Sequence, residues 1–218
     1  MRLGILGGTF DPIHYGHLRI AEEACEELGL KKVLLIPGAS PPHKGKKQIS
    51  PFNDRFTMTK LGAEGSSALE AADLEGRRQG LSYSIDTLLE IHNTYGSDLE
   101  LFFIIGMDAF LEIRSWKRYE DLFKKTNFVV IKRPGFPDEE FGPLILSMDL
   151  GFEPGEVNNS YVLPSSGYSV IYKELTLFEI SSTRIRELTA TGRSIRFLVP
   201  ESVRSYIIEK GLYLNGRS

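Results

Sequence analysis

Short apolar runs alternate along this chain with longer stretches whose apolar residues return every three or four positions. Leu3 to Leu6, Val33 to Ile36, Leu101 to Ile105 and Phe128 to Ile131 are runs of the first kind. Such runs predict strands buried on both faces. Leu69 to Leu74 reads as a further strand. Between the runs, Leu18 to Leu28 predicts a helix that begins near Gly16 and is closed by Gly29. Ser50-Pro51 resembles an N-cap followed by a first-turn proline, opening a helix through about Leu61. Ser84 to Tyr95 places Ile85, Leu88, Leu89 and His92 at helical spacing and stops at Gly96, and Ala109 to Lys125 predicts helix in two pieces. This alternation predicts an α/β fold, a doubly wound and mostly parallel sheet of Rossmann-like type with helices on both faces.

The pattern blurs from Phe136 to Glu174, where Tyr161 to Tyr172 predicts a hairpin around Pro164-Ser165-Ser166-Gly167. Beyond it, Ile180-Ser181-Ser182-Thr183 opens a helix to about Thr191, and Pro200 opens a terminal one. We expect a single domain, with an α/β core over 1–180 and a small helical part over 181–218.

A chain of 218 residues can bury a substantial core. Its net charge of −3 argues against a general nucleic-acid binder, which needs a basic face. Positive charge is local: Lys44, Lys46 and Lys47 share one loop, and Arg184 and Arg186 another stretch. Cys25 is the only cysteine and reads as a small core residue, which fits a reducing compartment. Neither a signal peptide nor a membrane-length apolar run is evident, so a cytoplasmic protein without a membrane partner is expected.

The chemistry concentrates where strands end. Gly7-Gly8-Thr9-Phe10-Asp11-Pro12-Ile13-His14-Tyr15-Gly16-His17 follows the first strand directly. Glycines admit close approach of backbone N–H groups, and a helix N-terminus favours negative charge. Two imidazoles three residues apart at that point suit a polyphosphate. They also have the spacing of two metal ligands, but no third ligand is evident nearby, and a purely structural pair is the other alternative. Asp11, before a proline in a turn, is expected to bond backbone.

Ile180-Ser181-Ser182-Thr183-Arg184-Ile185-Arg186 forms a second candidate anion site, in which hydroxyls cap a helix and Arg186 returns to the same end as Thr183. Pro37 to Lys44 is a proline-stiffened loop carrying a cation, otherwise a solvated surface loop. Gly106-Met107-Asp108 places an acid after a central strand, where it could accept from ribose hydroxyls or simply charge a helix start. Trp116, the only tryptophan, could stack on a heterocycle or pack half-buried. The chain has no G-x-G-x-x-G after its first strand and no G-x-x-x-x-G-K-[ST], which disfavours a nicotinamide-dependent dehydrogenase and a P-loop ATPase.

Taken in order, Gly8 to His17, Pro37 to Lys44, Ser50 through Arg55 to Met58, Tyr83 to Leu88, Gly106-x-Asp108 with Trp116, Arg133-Pro134-Gly135 and Ile180 to Arg186 resemble the bacterial nicotinate-nucleotide adenylyltransferase family of the nucleotidyltransferase superfamily. The resemblance implies AMP transfer from ATP, with Mg2+, to nicotinate mononucleotide. It implies that His14, His17 and Arg186 are catalytic. Gly8, Thr9, Phe10, Gly106, Asp108, Ser182 and Thr183 would join them in holding ATP. Lys44, Thr87, Trp116 and Arg133 would hold the mononucleotide, and a homo-oligomer is left open. No metal-ligating residue is assigned. The rivals are adenylyltransferases for phosphopantetheine or nicotinamide mononucleotide, a nucleotide sensor without turnover, and a metal-dependent hydrolase using His14 and His17.

Overall fold

The computed structural model describes residues 1–40, 49–96, 98–133 and 135–214. Its strands are β1 (Arg2–Gly8), β2 (Lys32–Pro37), β3 (Leu69–Ala71), β4 (Glu100–Gly106), β5 (Asn127–Ile131), β6 (Glu153–Pro154), β7 (Ser160–Val162) and β8 (Ser169–Lys173). They form one sheet in the order β3-β2-β1-β4-β5-β8-β7-β6. Pairing is parallel from β3 across to β8, while β7 runs antiparallel to both of its neighbours. The helices are α1 (Tyr15–Glu27), α2 (Phe52–Ala63), α3 (Ser84–Tyr95), α4 (Met107–Leu111), α5 (Tyr119–Leu122), α6 (Phe141–Leu146), α7 (Ser182–Ala190) and α8 (Glu201–Lys210). No helix among the described residues is long and apolar enough to cross a membrane.

The unbroken apolar runs are explained by two cores, one on each face of the sheet. Leu34 and Ile36 of β2 join Leu101, Phe103 and Ile105 of β4 in the core that includes Ile85 and Leu88 of α3. Their alternates Val33, Leu35, Phe102 and Ile104 point the other way, against Ala21 of α1, Ile185 of α7 and Val203 of α8. A strand with helices on both faces needs apolar residues at every position, so period-two alternation disappears.

The helices differ from expectation in three places. Pro51, not Ser50, is the N-cap of α2, and the Ser50 N–H donates to the Asp11 carboxylate at 3.2 Å. The predicted pair of helices over Ala109 to Lys125 is more broken: α4, a 3-10 turn at Ile113–Ser115, and α5. Trp116 is extended there and Arg118 is left-handed at φ 54°, so the helix cannot run through. The blurred segment holds α6 as well as the hairpin, and β8 adds a parallel strand beside β5.

The chain order reverses at β1. It moves from β1 out to β2 and β3, then returns to pair β4 on the other side of β1. The crevice beyond the carboxyl ends of β1 and β4 is where such sheets bind ligands.

Candidate functional site: the turn after the first strand

A cavity of about 330 Å3 opens at that crevice, lined among others by Gly8 and Thr9 after β1, Gly106 after β4, Glu75, Ser82 and Trp116. At Gly8 a side chain is excluded, because a Cβ there would lie 2.6 Å from the Phe10 ring. Phe10 is itself left-handed, at φ 48°, and its ring meets His17 edge-on with centroids 5.0 Å apart. The turn then passes the cis Asp11–Pro12 peptide and reaches His14, which caps α1 in extended conformation. The first turn of α1 carries no acidic residue, although the Tyr15 N–H already donates to the Leu198 carbonyl at 3.1 Å.

His14 and His17 stack, with ring centroids 3.7 Å apart and planes 21° from parallel. His14 is only 5% exposed, and its buried Nδ1 has no hydrogen-bond partner among the described residues. Burial, helped by the Arg133 charge, lowers the His14 pKa from its ordinary 6.5 to about 4. His14 is therefore neutral at physiological pH.

The second motif folds onto this turn. Ser181 caps α7 by accepting from the Arg184 N–H at 3.2 Å, and the first turn of α7 also lacks an acid. Ser182 Oγ donates to the Pro12 carbonyl at 2.9 Å, and Arg186 Nη1 donates to the Asp11 carbonyl at 2.7 Å. Arg186 Nη2 reaches Thr183 Oγ1 at 3.2 Å, so the arginine returns to the end of the helix that holds the threonine. Two helix N-termini, two imidazoles and one guanidinium thus converge on one turn.

Behind it lies a residue that sequence reasoning quoted but gave no role. Arg55 of α2 is fully buried, and its guanidinium donates to the carbonyls of Ser50, Thr9, Gly38 and Ala39. Burial lowers its pKa, opposed by the charge of Asp11. A fork of five donors is the one side chain that can satisfy so many carbonyls at once. The signal was its place five residues after Ser50 in the ordered motif set.

At the other end of the cavity Trp116 is half-buried and packs edge-on against Phe103, with centroids 6.1 Å apart. Thr87 is not among the lining residues. Its hydroxyl donates to Glu75 Oε1 at 2.8 Å and accepts from Arg78, so its one proton is already committed. Arg133 and Asp108, both exposed, form an ion pair at 3.3 Å beside Gly106. Lys44 lies outside the described residues. Among the described residues no three His, Cys, Asp or Glu side chains converge as a metal site.

Known proteins resemble this chain in sequence and in fold. The cytidylyltransferase-like family matches residues 5–188. A probable nicotinate-nucleotide adenylyltransferase from Geotalea daltonii is 46% identical, with both chains covered in full. A protein of the same description from Geobacter metallireducens is 44% identical over the same span. Among solved structures, the Plasmodium falciparum nicotinic acid mononucleotide adenylyltransferase complexed with NaAD superposes with a TM-score of 0.73, covering 97% of each chain at 20% identity. That last likeness speaks for the fold. With its profile match and its full-length relatives, the chain belongs to the cytidylyltransferase-like family and, within it, to the nicotinate-nucleotide adenylyltransferases.

Proposed function

We propose that the cavity at β1 and β4, together with the adjoining turn whose His14 and His17 lie outside the cavity lining, is the active site for the activity that the chain's relatives are named for. The chain transfers AMP from ATP to nicotinate mononucleotide, giving nicotinate adenine dinucleotide and pyrophosphate. The observation that carries this reading is the convergence of His14, His17 and Arg186 on one turn at the switch point of the sheet.

The reaction asks little covalent chemistry of the protein. A phosphomonoester has its second pKa near ~6, so at neutral pH the attacking oxygen of the mononucleotide is already ionised. That oxygen bonds to the α-phosphorus of ATP while the bond to the bridging oxygen breaks and pyrophosphate leaves. The site must align two anions and meet the charge that grows on the α-phosphate and the leaving group.

In this reading His14 acts as a neutral hydrogen-bond donor, which fits its lowered pKa. His17 and Arg186 follow the charge onto the leaving group. Arg186 spends one N–H on the Asp11 carbonyl and one on Thr183 Oγ1, and keeps further N–H groups for phosphate. Ser182, with its hydroxyl engaged by Pro12, contributes through its backbone N–H, and Thr183 contributes its hydroxyl. Gly8, Thr9 and Phe10 provide backbone along the ATP phosphates, and Gly106 and Asp108 hold the adenosine portion. When the ribose takes Asp108, Arg133 is released to join Lys44 at the mononucleotide phosphate. Trp116 stacks on the pyridine ring. Thr87 reads the ring carboxylate once its hydroxyl turns from Glu75.

Mg2+ enters with ATP as part of the substrate. The side chains around the turn are imidazoles, a guanidinium and hydroxyls, which suit anions. The carboxylate within the turn, Asp11, already accepts from Ser50 and Tyr213. We therefore assign the ion to the phosphate oxygens and not to a protein cage.

Pyrophosphate release with MgATP and, separately, nicotinate mononucleotide, nicotinamide mononucleotide and phosphopantetheine tests the reading. Strong preference for the first is expected. Preference for either other acceptor would overturn the roles of Thr87 and Trp116, and ATP binding without turnover would overturn the catalytic one.

A further inference from the structure

One polar contact at the site has no part in the reaction described above. Tyr213 lies two residues beyond Gly211, the left-handed cap of α8, and is itself left-handed at φ 63°. A tyrosine in that region is disfavoured by its own Cβ, so neighbouring contacts must hold it there. Its hydroxyl donates to Asp11 Oδ1 at 2.7 Å and touches Met58 Sδ at 3.9 Å. Asp11 is only 3% exposed, and its other carboxylate oxygen accepts the Ser50 N–H at 3.2 Å. The backbone of the same residue carries Arg186, through its carbonyl at 2.7 Å, and the next carbonyl carries Ser182. A residue near the far end of the chain is thus tied to the peptide on which the phosphate-binding side chains rest.

Burial, reinforced by the Asp11 charge, pushes the Tyr213 phenol far above its usual range. The hydroxyl remains a donor at every working pH.

We propose that Tyr213 is a positioning residue for adenylyl transfer: through Asp11 it fixes the carbonyl that holds Arg186, and so sets Arg186 against the turn carrying His14 and His17. This rests on the function proposed above. A matched contact separates positioning from plain stabilisation. Tyr206 of α8 donates to Asp54 Oδ1 of α2, also at 2.7 Å, and Asp54 has no part in the reaction described above.

The test is steady-state kinetics of Tyr213→Phe and Tyr206→Phe, each alone and in an Arg186→Lys background, assayed well below their measured melting temperatures. Tyr213→Phe should lower kcat/KM for ATP about tenfold, with KM for nicotinate mononucleotide changed by less than about twofold, the scale of one lost hydrogen bond to charge. Tyr206→Phe should leave both constants within about twofold of wild type. In the Arg186→Lys background the Tyr213→Phe loss should shrink to under about twofold, because coupled contacts are not lost twice. Equal losses from the two tyrosines, full additivity with Arg186→Lys, or unchanged kinetics in Tyr213→Phe would each overturn the proposal while wild-type turnover keeps the function intact. A wild-type enzyme without turnover would remove the function itself, and the proposal with it.

Discussion

The two ends of the proposed site, phosphate and base, are built by different means. At the phosphate end, side chains from α2 and α7 grip backbone carbonyls: Arg55 holds Thr9, Gly38, Ala39 and Ser50, Arg186 holds Asp11, and Ser182 holds Pro12. At the base end, side chains grip one another, as Thr87 does with Glu75 and Arg78, or pack ring to ring, as Trp116 does with Phe103. A backbone lock fixes geometry whatever the neighbouring side chains become, which suits chemistry that every nucleotide substrate shares. A side-chain network can be retuned by single substitutions, which suits the choice of acceptor. On the proposed function, this difference makes transfer and selection separable.

The largest expected effect would break the lock itself. Arg55→Met leaves four carbonyls short of a buried donor, and we expect a loss on the order of 3 to 5 kcal/mol in urea unfolding. A loss below about 1 kcal/mol would mean that the lock is not what shapes the turn.

Acid sharpens the comparison next, because the buried imidazole belongs to the phosphate end alone. The folded-state pKa of His14 is depressed from 6.5 to about 4. The unfolded chain therefore binds the proton first as pH falls. The stability that neutral His14 allows is intact above 6.5 and is lost progressively down to about 4, by up to about 3 kcal/mol. In His14→Gln that part of the slope should vanish from the urea midpoint measured against pH.

His17→Ala should lower kcat at least about tenfold for either mononucleotide, since a donor to transition-state charge is removed. Trp116→Ala should raise KM for nicotinate mononucleotide about fivefold with little change in kcat, the scale of a lost aromatic contact. A kcat effect there would blur the separation of the two ends.

Much of the phosphate end is legible in the sequence because its parts are local. The strand, glycine turn and His14-x-x-His17 lie within one segment, and Ser181 capping α7 with Arg186 folded back on Thr183 follows from helical spacing. What joins the two segments is not legible. The Arg186 contact with Asp11 and the Tyr213 clasp span nearly the whole chain, and no periodicity encodes them. The sheet was readable as buried runs, yet β8 beside β5 was not, because Ser169, Lys173 and the flanking turns dilute its apolar signal. Likewise Ser50 reads as a cap because a proline follows it, yet α2 begins one residue later, with Pro51 itself at the cap.

The central claim, that one end transfers and the other selects, rests on a single comparison of kinetic constants. Measured for nicotinate and nicotinamide mononucleotides in wild type, Arg186→Lys and Trp116→Ala, kcat and KM should split by region. Arg186→Lys should lower kcat for both acceptors by the same factor and leave their preference ratio unchanged. Trp116→Ala should raise KM and leave kcat in place. An Arg186→Lys enzyme whose preference between the two acceptors shifts, with kcat intact, would contradict the account.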